Sequence, residues 1–223
     1  MSATEFAPRP QLAEDVARLI RRRIFDGTYP AGKYIRLEQL ADELGISVTP
    51  VREALFGLRT EGLLVQQPRR GFLVLPVTRR DIDDVSAVQG HIGGELAKRA
   101  ADRITAQELA DLERIQRELE EAYAANDYEG AVRLNHEFHR GINVAADSPK
   151  LAQLMSQITR YALESVYPAV DGWAAQCARD HRRVLAALRK GDGDAARTAM
   201  DRHLCAGSKP LIEHLTTLGV VAD

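Results

Sequence analysis

Cysteine is scarce in this chain. Cys177 and Cys205 are the two in 223 residues. One bridge could not staple a chain of this length, and a reducing compartment leaves both as thiols. Long apolar runs are absent too: nothing approaches the roughly 18 residues that a membrane span needs, and the opening MSATEFAPRPQ lacks the charged-then-apolar pattern of a secretion signal. A cytoplasmic protein with no membrane partner is the expectation. Strong charge of one sign is lacking as well, since the net charge is −2, so bulk charge does not point to nucleic acid. With 45% hydrophobic and 28% charged residues, disorder is excluded and one large core or two modest ones are within reach.

What is present is unevenly distributed. Residues 1–78 hold 11 Lys/Arg against 9 Asp/Glu, a balance of +2, whereas 79–223 hold 19 against 23, a balance of −4. All six histidines (His91, His136, His139, His181, His203, His214) fall in the second part. A seam near LPVTRRD, where Pro76 ends a β-rich stretch and Asp81 opens a helical one, divides the chain into domains 1–78 and 79–223.

In the first part, Leu12, Val16, Leu19, Ile20 and Ile24 recur at helical spacing until DGTYPAG stops them. LEQLADELG predicts a second, short helix with Leu37, Leu40, Ala41 and Leu44 on one face, and SVTPVREALFGLRTEGL follows as a third. Ser47 or Thr49 can cap that helix, and Pro50 is tolerated in its first turn. Val51, Leu55 and Leu58 then face inward and leave Val48, Thr49, Arg52 and Arg59 on the other side. After Gly62 the period becomes extended, and LLVQQPRRGFLVLPV predicts a hairpin whose basic tip carries Pro68, Arg69, Arg70 and Gly71. Three such helices and a hairpin make a winged helix-turn-helix, whose third helix enters a major groove of DNA.

Residues 11–76 resemble the DNA-binding domain of the GntR family of bacterial transcription regulators, through GTYPAGKYI, LADELGIS, TPVREALFGLRTEGL and RRGFLV. The resemblance implies that Arg52 contacts a guanine edge, that Ser47 and Thr49 hold phosphate or base, and that Gly71 lets the wing approach the duplex. Arg36, Arg59, Arg69 and Arg70 complete the candidate DNA contacts, the two wing arginines as modest phosphate partners. Val48 stands where many relatives carry arginine, so one base contact of the family is missing.

The second part is helical throughout, and its expected fold is an antiparallel all-helical bundle, making the whole chain mostly α. Val85, Val88, Ile92, Leu96 and Ala100 mark the first helix. The capping box TAQE at Thr105 opens a second with Leu109, Leu112, Ile115 and Leu119. A third spans about 127–146. The fourth carries Leu151, Leu154, Ile158 and Tyr161 and ends before Pro168; the fifth spans about 171–190, and GDGD turns the chain into a sixth that Pro210 bends.

Asn135 and His139 are one turn apart on a shared face, with His136 rotated away by about 100°. His181 lies ten residues before Gly191 and His203 ten after Gly193, so in a tight helical hairpin both stand about 15 Å from the turn. Three histidines and one amide oxygen from three helices can converge as a metal site with open positions. His91, His136 and His214 read as ordinary polar residues, Cys177 as a small buried thiol, and Cys205 as pointing away from His203.

RDHRRVLAALRKGDGDAARTAMDRHL and NHEFHRGINVAADSPKL resemble the FCD effector domain that accompanies one branch of GntR regulators, in its six-helix, VanR-like variant. The resemblance covers about 80–215. It implies a divalent metal held by His139, His181, His203 and residue 135, beside a pocket for a small carboxylate. Asn135 replaces the family's usual aspartate, and Gln89 stands where relatives place an arginine clamp for the effector, so the effector set is Gln89 with the four metal residues. Imidazole ligands suit zinc or nickel.

The expected function is therefore that of a homodimeric, ligand-responsive transcription regulator, a repressor, that binds a short palindromic operator in double-stranded DNA and senses a small organic acid at a metal-containing site. A pure metal sensor is the alternative. A metal-dependent hydrolase is the weaker one, because HEFH lacks the H-E-x-x-H spacing and no carboxylate is placed as a base; the expectation is that the chain is not an enzyme.

Overall fold

The computed structural model describes residues 10–159 and 166–222, and these divide into two compact units. One comprises residues up to Arg79 together with the segment from Leu215; the other is Arg80–His214. The boundary near residue 79 follows the sequence division, but the segment from Leu215 departs from it. Val221–Ala222 (β5) pairs in parallel with Val77–Thr78 (β4), and Leu215 and Val221 are buried. Pairing and burial thus tie this segment to the first unit.

The first unit begins with α1 (Pro10–Phe25), followed by β1 (Tyr34–Ile35), α2 (Leu37–Leu44), α3 (Val48–Thr60), β2 (Leu64–Gln67) and β3 (Gly71–Val74). Helix α1 buries Val16, Ile20 and Ile24 as its period requires, whereas Leu12, one turn from the start, is exposed. Helix α2 stops at Gly45, which takes the left-handed conformation (φ +63°) and bonds its N–H back to the carbonyls of Ala41 and Asp42. Gly45, Ile46 and Ser47 alone separate α2 from α3. Ser47 occupies the N-cap position without making a side-chain cap hydrogen bond, and Pro50 is buried in the first turn. Val51, Leu55 and Leu58 are fully buried, as their spacing predicts. Glu61, just past α3, accepts 2.7 and 2.6 Å hydrogen bonds from the Arg21 guanidinium, a bidentate clamp from α3 to α1.

The wing is a three-stranded antiparallel sheet in the order β1-β3-β2. Its hairpin registers Leu64 against Val74 and Gln67 against Gly71, with Arg69 at φ +63° in the turn. The two-residue β1 was not anticipated and explains the glycine. A Cβ on Gly71 (φ +100°) would run into the Ile35 carbonyl, so Gly71 is required first by the neighbouring strand.

The helical unit contains most of α4 (Arg79–Ala101), then α5 (Ala106–Ala124), α6 (Tyr128–Ala145), α7 (Pro149–Thr159), a 3-10 turn at Tyr167–Ala169, α8 (Trp173–Lys190), α9 (Gly193–Ala206) and most of α10 (Ser208–Thr217). Thr105 and Glu108 form the expected capping box on α5. Gly191 (φ +65°) ends α8, and Asp192 caps α9 by accepting from the Ala195 N–H at 3.0 Å. Leu96, Ala97, Leu112, Phe138, Ile142, Val184, Leu188 and Met200 make the core.

Three expectations are corrected. On α4, Val88 is 46% exposed; the buried face runs instead through Ser86, Gln89, Gly90, Gly93 and Gly94. A Cβ at Gly90 would strike Asp201 and Cys205 of α9, so α4 approaches that helix through small residues rather than through a valine stripe. On α7, Met155 is buried and Leu154 exposed, while Tyr161 lies outside the described residues. The sixth helix is divided rather than bent. It breaks at Gly207, where a Cβ would meet the Tyr167 ring at 2.7 Å, and Pro210 falls in the first turn of α10, where its missing N–H costs no hydrogen bond.

Candidate functional site

In the first unit, Arg36, Ser47, Thr49, Arg52, Arg59, Arg69 and Arg70 are all exposed and Gly71 is half-buried. Arg52 and Arg59, seven residues apart on α3, share one face. They differ in freedom. Arg52 makes no hydrogen bond or ion pair among the described residues, so its donors are available to a partner. Arg59 packs its guanidinium 4.6 Å from the Phe56 ring centroid and donates to Gln66 Oε1 at 3.1 Å, which ties α3 to β2. At the wing, Arg70 lies 5.9 Å from the Tyr34 ring centroid and donates to its hydroxyl at 3.5 Å. Tyr34, which composition and spacing had not singled out, thus orients one of the two wing cations.

The second site is built by α5, α6, α8 and α9. His203 Nε2 lies 3.1 Å from His181 Nε2 and 3.3 Å from His139 Nε2, and ligand atoms of all three residues lie within 4.8 Å of one another. Nitrogens on a tetrahedral zinc at 2.0–2.1 Å stand roughly 3.3 Å apart, so both separations at His203 match the edge of a coordination tetrahedron. His181 and His203 are buried and His139 partly so. Desolvation, followed by the neighbouring His203, holds His139 and His181 well below the ordinary imidazole value. Both are therefore neutral near pH 7 and present lone pairs, as ligation requires.

The surroundings fit a cation. Phe138 stacks on His181 with centroids 3.9 Å apart, and Trp173 lies over His203 at 6.0 Å, giving an apolar wall. His203 Nδ1 is buried without a hydrogen-bond partner, and the Asp180 carboxylate stands 3.9 Å from it. Asp180 is held there by Gln176 Nε2 at 2.6 Å and Arg183 Nη1 at 2.5 Å. His181 Nδ1 is 2.6 Å from Gln116 Oε1. The Nδ1 atoms of both buried imidazoles thus face an oxygen while their Nε2 atoms converge, the arrangement by which outer partners commonly orient metal-binding histidines.

Of the residues singled out from sequence, His139, His181 and His203 come together. Asn135 borders them through Cys177, whose fully buried Sγ lies 3.7 Å from Asn135 Oδ1 and 3.6 Å from His181 Nε2. His91 and His136 are exposed, His214 is half-buried on α10, and Cys205 donates to the Ser86 carbonyl at 3.6 Å. Gln89 is buried on α4, but the hydrogen bonds and ring contacts of the triad among the described residues do not include it. Gln116 and Asp180 were missed. A signal existed for Gln116, which lies between Leu112 and Leu119 on the buried stripe of α5, where a polar side chain calls for a partner.

Residues 12–74 match the family model described as bacterial regulatory proteins, gntR family, and residues 84–206 match the FCD domain. The HTH-type transcriptional regulator YdhC of Bacillus subtilis is 27% identical over 88% of this chain and 87% of its own length. McbR of Escherichia coli is 26% identical over 80% and 82%, and the E. coli repressor RspR 25% identical over 90% and 89%. Among solved structures, E. coli McbR/YncC superposes with a TM-score of 0.72 at 24% identity, covering 91% of this chain and 98% of that one, and a putative GntR regulator from Rhodococcus does so with a TM-score of 0.64 at 22% identity, covering 90% and 97%. No helix among the described residues is long and apolar enough to cross a membrane. With both family models matched in order along one chain, the protein belongs to the GntR family of bacterial regulators, in the branch that carries an FCD domain, and is a transcription regulator and not an enzyme.

Proposed function

We propose that the protein is a cytoplasmic, homodimeric repressor whose first unit reads a short palindromic operator and whose helical unit binds a divalent metal and a small organic acid. The division of labour follows the boundary near residue 79. One recognition helix spans too few base pairs for useful selectivity, so two copies related by a two-fold axis favour an inverted repeat. Arg52 reads guanine from the start of α3, Ser47 and Thr49 hold the backbone or a base edge beside it, and Arg36, Arg69 and Arg70 add phosphate contacts. In the helical unit His139, His181 and His203 hold the ion, zinc or nickel by ligand chemistry, and Asn135 supplies a fourth, neutral oxygen. An ion there would polarise and anchor a carboxylate at its open positions. Gln89 is a candidate to line the effector pocket.

The observation that carries this reading is the convergence of three imidazole Nε2 atoms, with both separations at His203 close to a coordination edge. A second reading is favoured by the close wall around it: His181 and His203 are nearly inaccessible, between Phe138 and Trp173, which suits an ion better than an organic acid. In that reading the ion is itself the signal. Operator binding, measured by fluorescence anisotropy with metal-free protein and then with zinc, with nickel and with a panel of small organic acids, separates the two. An acid that acts only in the presence of metal supports the first, and a full response to metal alone supports the second. No response to either, with no metal retained after dialysis, would sink both.

A further inference from the structure

Resting on the reading of the triad as a metal site, we propose that Gln116 is the positioning residue that fixes the tautomer of His181, holding the proton on Nδ1 so that Nε2 offers a lone pair to the ion. The relay starts at the surface. Arg182 Nη2 donates to Glu120 Oε2 at 2.5 Å, anchoring an ionised carboxylate that can only accept. Gln116 Nε2 donates to the other oxygen, Glu120 Oε1, at 2.9 Å. This settles which way the amide points, because the flipped amide would set its oxygen against the carboxylate. Gln116 Oε1 is therefore the atom facing His181 Nδ1 at 2.6 Å, and an amide oxygen in that position requires an N–H opposite it. A neutral imidazole carries one proton, so Nε2 is bare. It lies 3.1 Å from His203 Nε2, on the converging side of the triad.

Burial gives the relay its force. Gln116 and His181 are buried at 3% and 0% exposure, so leaving Nδ1 or Oε1 unpaired would cost more than at a wet surface. The partner is also neutral. A carboxylate at position 116 would face Glu120 at hydrogen-bond distance, whereas the amide joins donor to acceptor along the whole line Arg182, Glu120, Gln116, His181. The relay enters the site from α5, which carries none of the proposed ligands.

The test reads the proton position directly and metal binding separately. In long-range proton–nitrogen spectra of the metal-free full chain, at a pH where the ring is neutral, His181 should carry its hydrogen on Nδ1. Gln116→Met keeps the length and removes the acceptor. His181 should then move toward the Nε2–H form, and zinc, measured by competition with a chelator, should bind about 10- to 100-fold more weakly, the usual cost of losing an outer partner. Exchanging the pair, Gln116→Glu with Glu120→Gln, restores donor to acceptor and should restore both readouts, which a merely structural role for Gln116 would not predict. An Nε2–H His181 in the parent protein, or parental zinc affinity in Gln116→Met, would overturn the proposal. Should Gln116→Met fail to fold, the parent tautomer and the exchanged pair decide the matter. An Nδ1–H His181 in a parent protein that takes up no zinc would uphold the relay and sink the metal reading instead.

Discussion

The two units carry their candidate functional residues in opposite ways. In the winged unit these side chains stand on the surface of a finished core: Arg52 makes no hydrogen bond or ion pair among the described residues, and the buried Val51, Leu55 and Leu58 of the same helix belong to the core. In the helical unit the candidate residues belong to the core. His181 stacks on Phe138, which is itself fully buried, and His203 lies at 2% exposure beside Asp180. A surface that reads a polyanion must keep its cations solvated until the partner arrives. A site that holds an ion gains from excluding water, at the cost of burying polar atoms that each need a partner. Recognition is thus separable from stability in one unit and bound up with it in the other.

That contrast can be broken in four ways, from the largest effect to the smallest. Phe138→Ala removes a core ring that also walls the triad, and should cost about 3 to 5 kcal/mol in urea unfolding and lower zinc retention in the same protein; full retention at that loss would separate site from core. His139→Ala should abolish the stabilisation conferred by metal, about 2.7 kcal/mol in the parent at a free ion concentration 100 times its dissociation constant, whereas the exposed His136→Ala should keep it. Equal metal-dependent shifts in melting temperature for the two variants would remove His139 from the ligand set. Arg52→Ala should reduce discrimination between operator and random duplex by about 1 to 3 kcal/mol while changing the free energy of unfolding by less than about 0.5 kcal/mol. Its salt-sensitive, sequence-independent binding should persist, because that comes from phosphate contacts.

The smallest effect concerns Glu95 on α4. Arg99 first, and then Arg197 of α9, hold its carboxyl below the ordinary glutamate value. A depressed folded value gives stability that is complete above the unfolded value, about 4.3, and is lost as the pH falls through the folded one. Glu95→Gln should therefore flatten the fall in melting temperature between about pH 5 and 3. Parallel curves for the two proteins would show that this link between α4 and α9 adds nothing measurable.

How much was legible in the sequence follows from the same contrast. The three helices, the hairpin and the basic tip were readable because their apolar periods, Gly45, Pro50 and Gly71 are local signals. His181 and His203 were readable as a pair because equal distances from one turn put them at the same height, a rule of helix geometry that needs no side-chain detail, and His139 was joined to them by the face it shares with Asn135 and by the FCD resemblance. Gln116 and Asp180 were not, since their significance lies in which imidazole atom they face, and that depends on how four helices pack. The face of α4 was misassigned because valines outweigh glycines on any hydrophobicity scale. Close approach to α9 turned on the absence of a Cβ at Gly90, Gly93 and Gly94. Strands β1, β4 and β5, two residues each, are too short to show a period.

The pairing of β5 with β4 bears on the order in which the protein can be made. Every residue of the helical unit leaves the ribosome after Thr78 and before Val221, so the DNA-reading unit remains short of one strand until its neighbour has been synthesised. A nascent chain reaching only to residue 79 contains α3 and the wing, but Val77–Thr78 lacks its partner strand and the unit lacks the buried Leu215 and Val221. Completion of the winged unit is thereby deferred until the FCD sequence exists, and a fragment cut at the seam would be a different molecule from the unit inside the full chain.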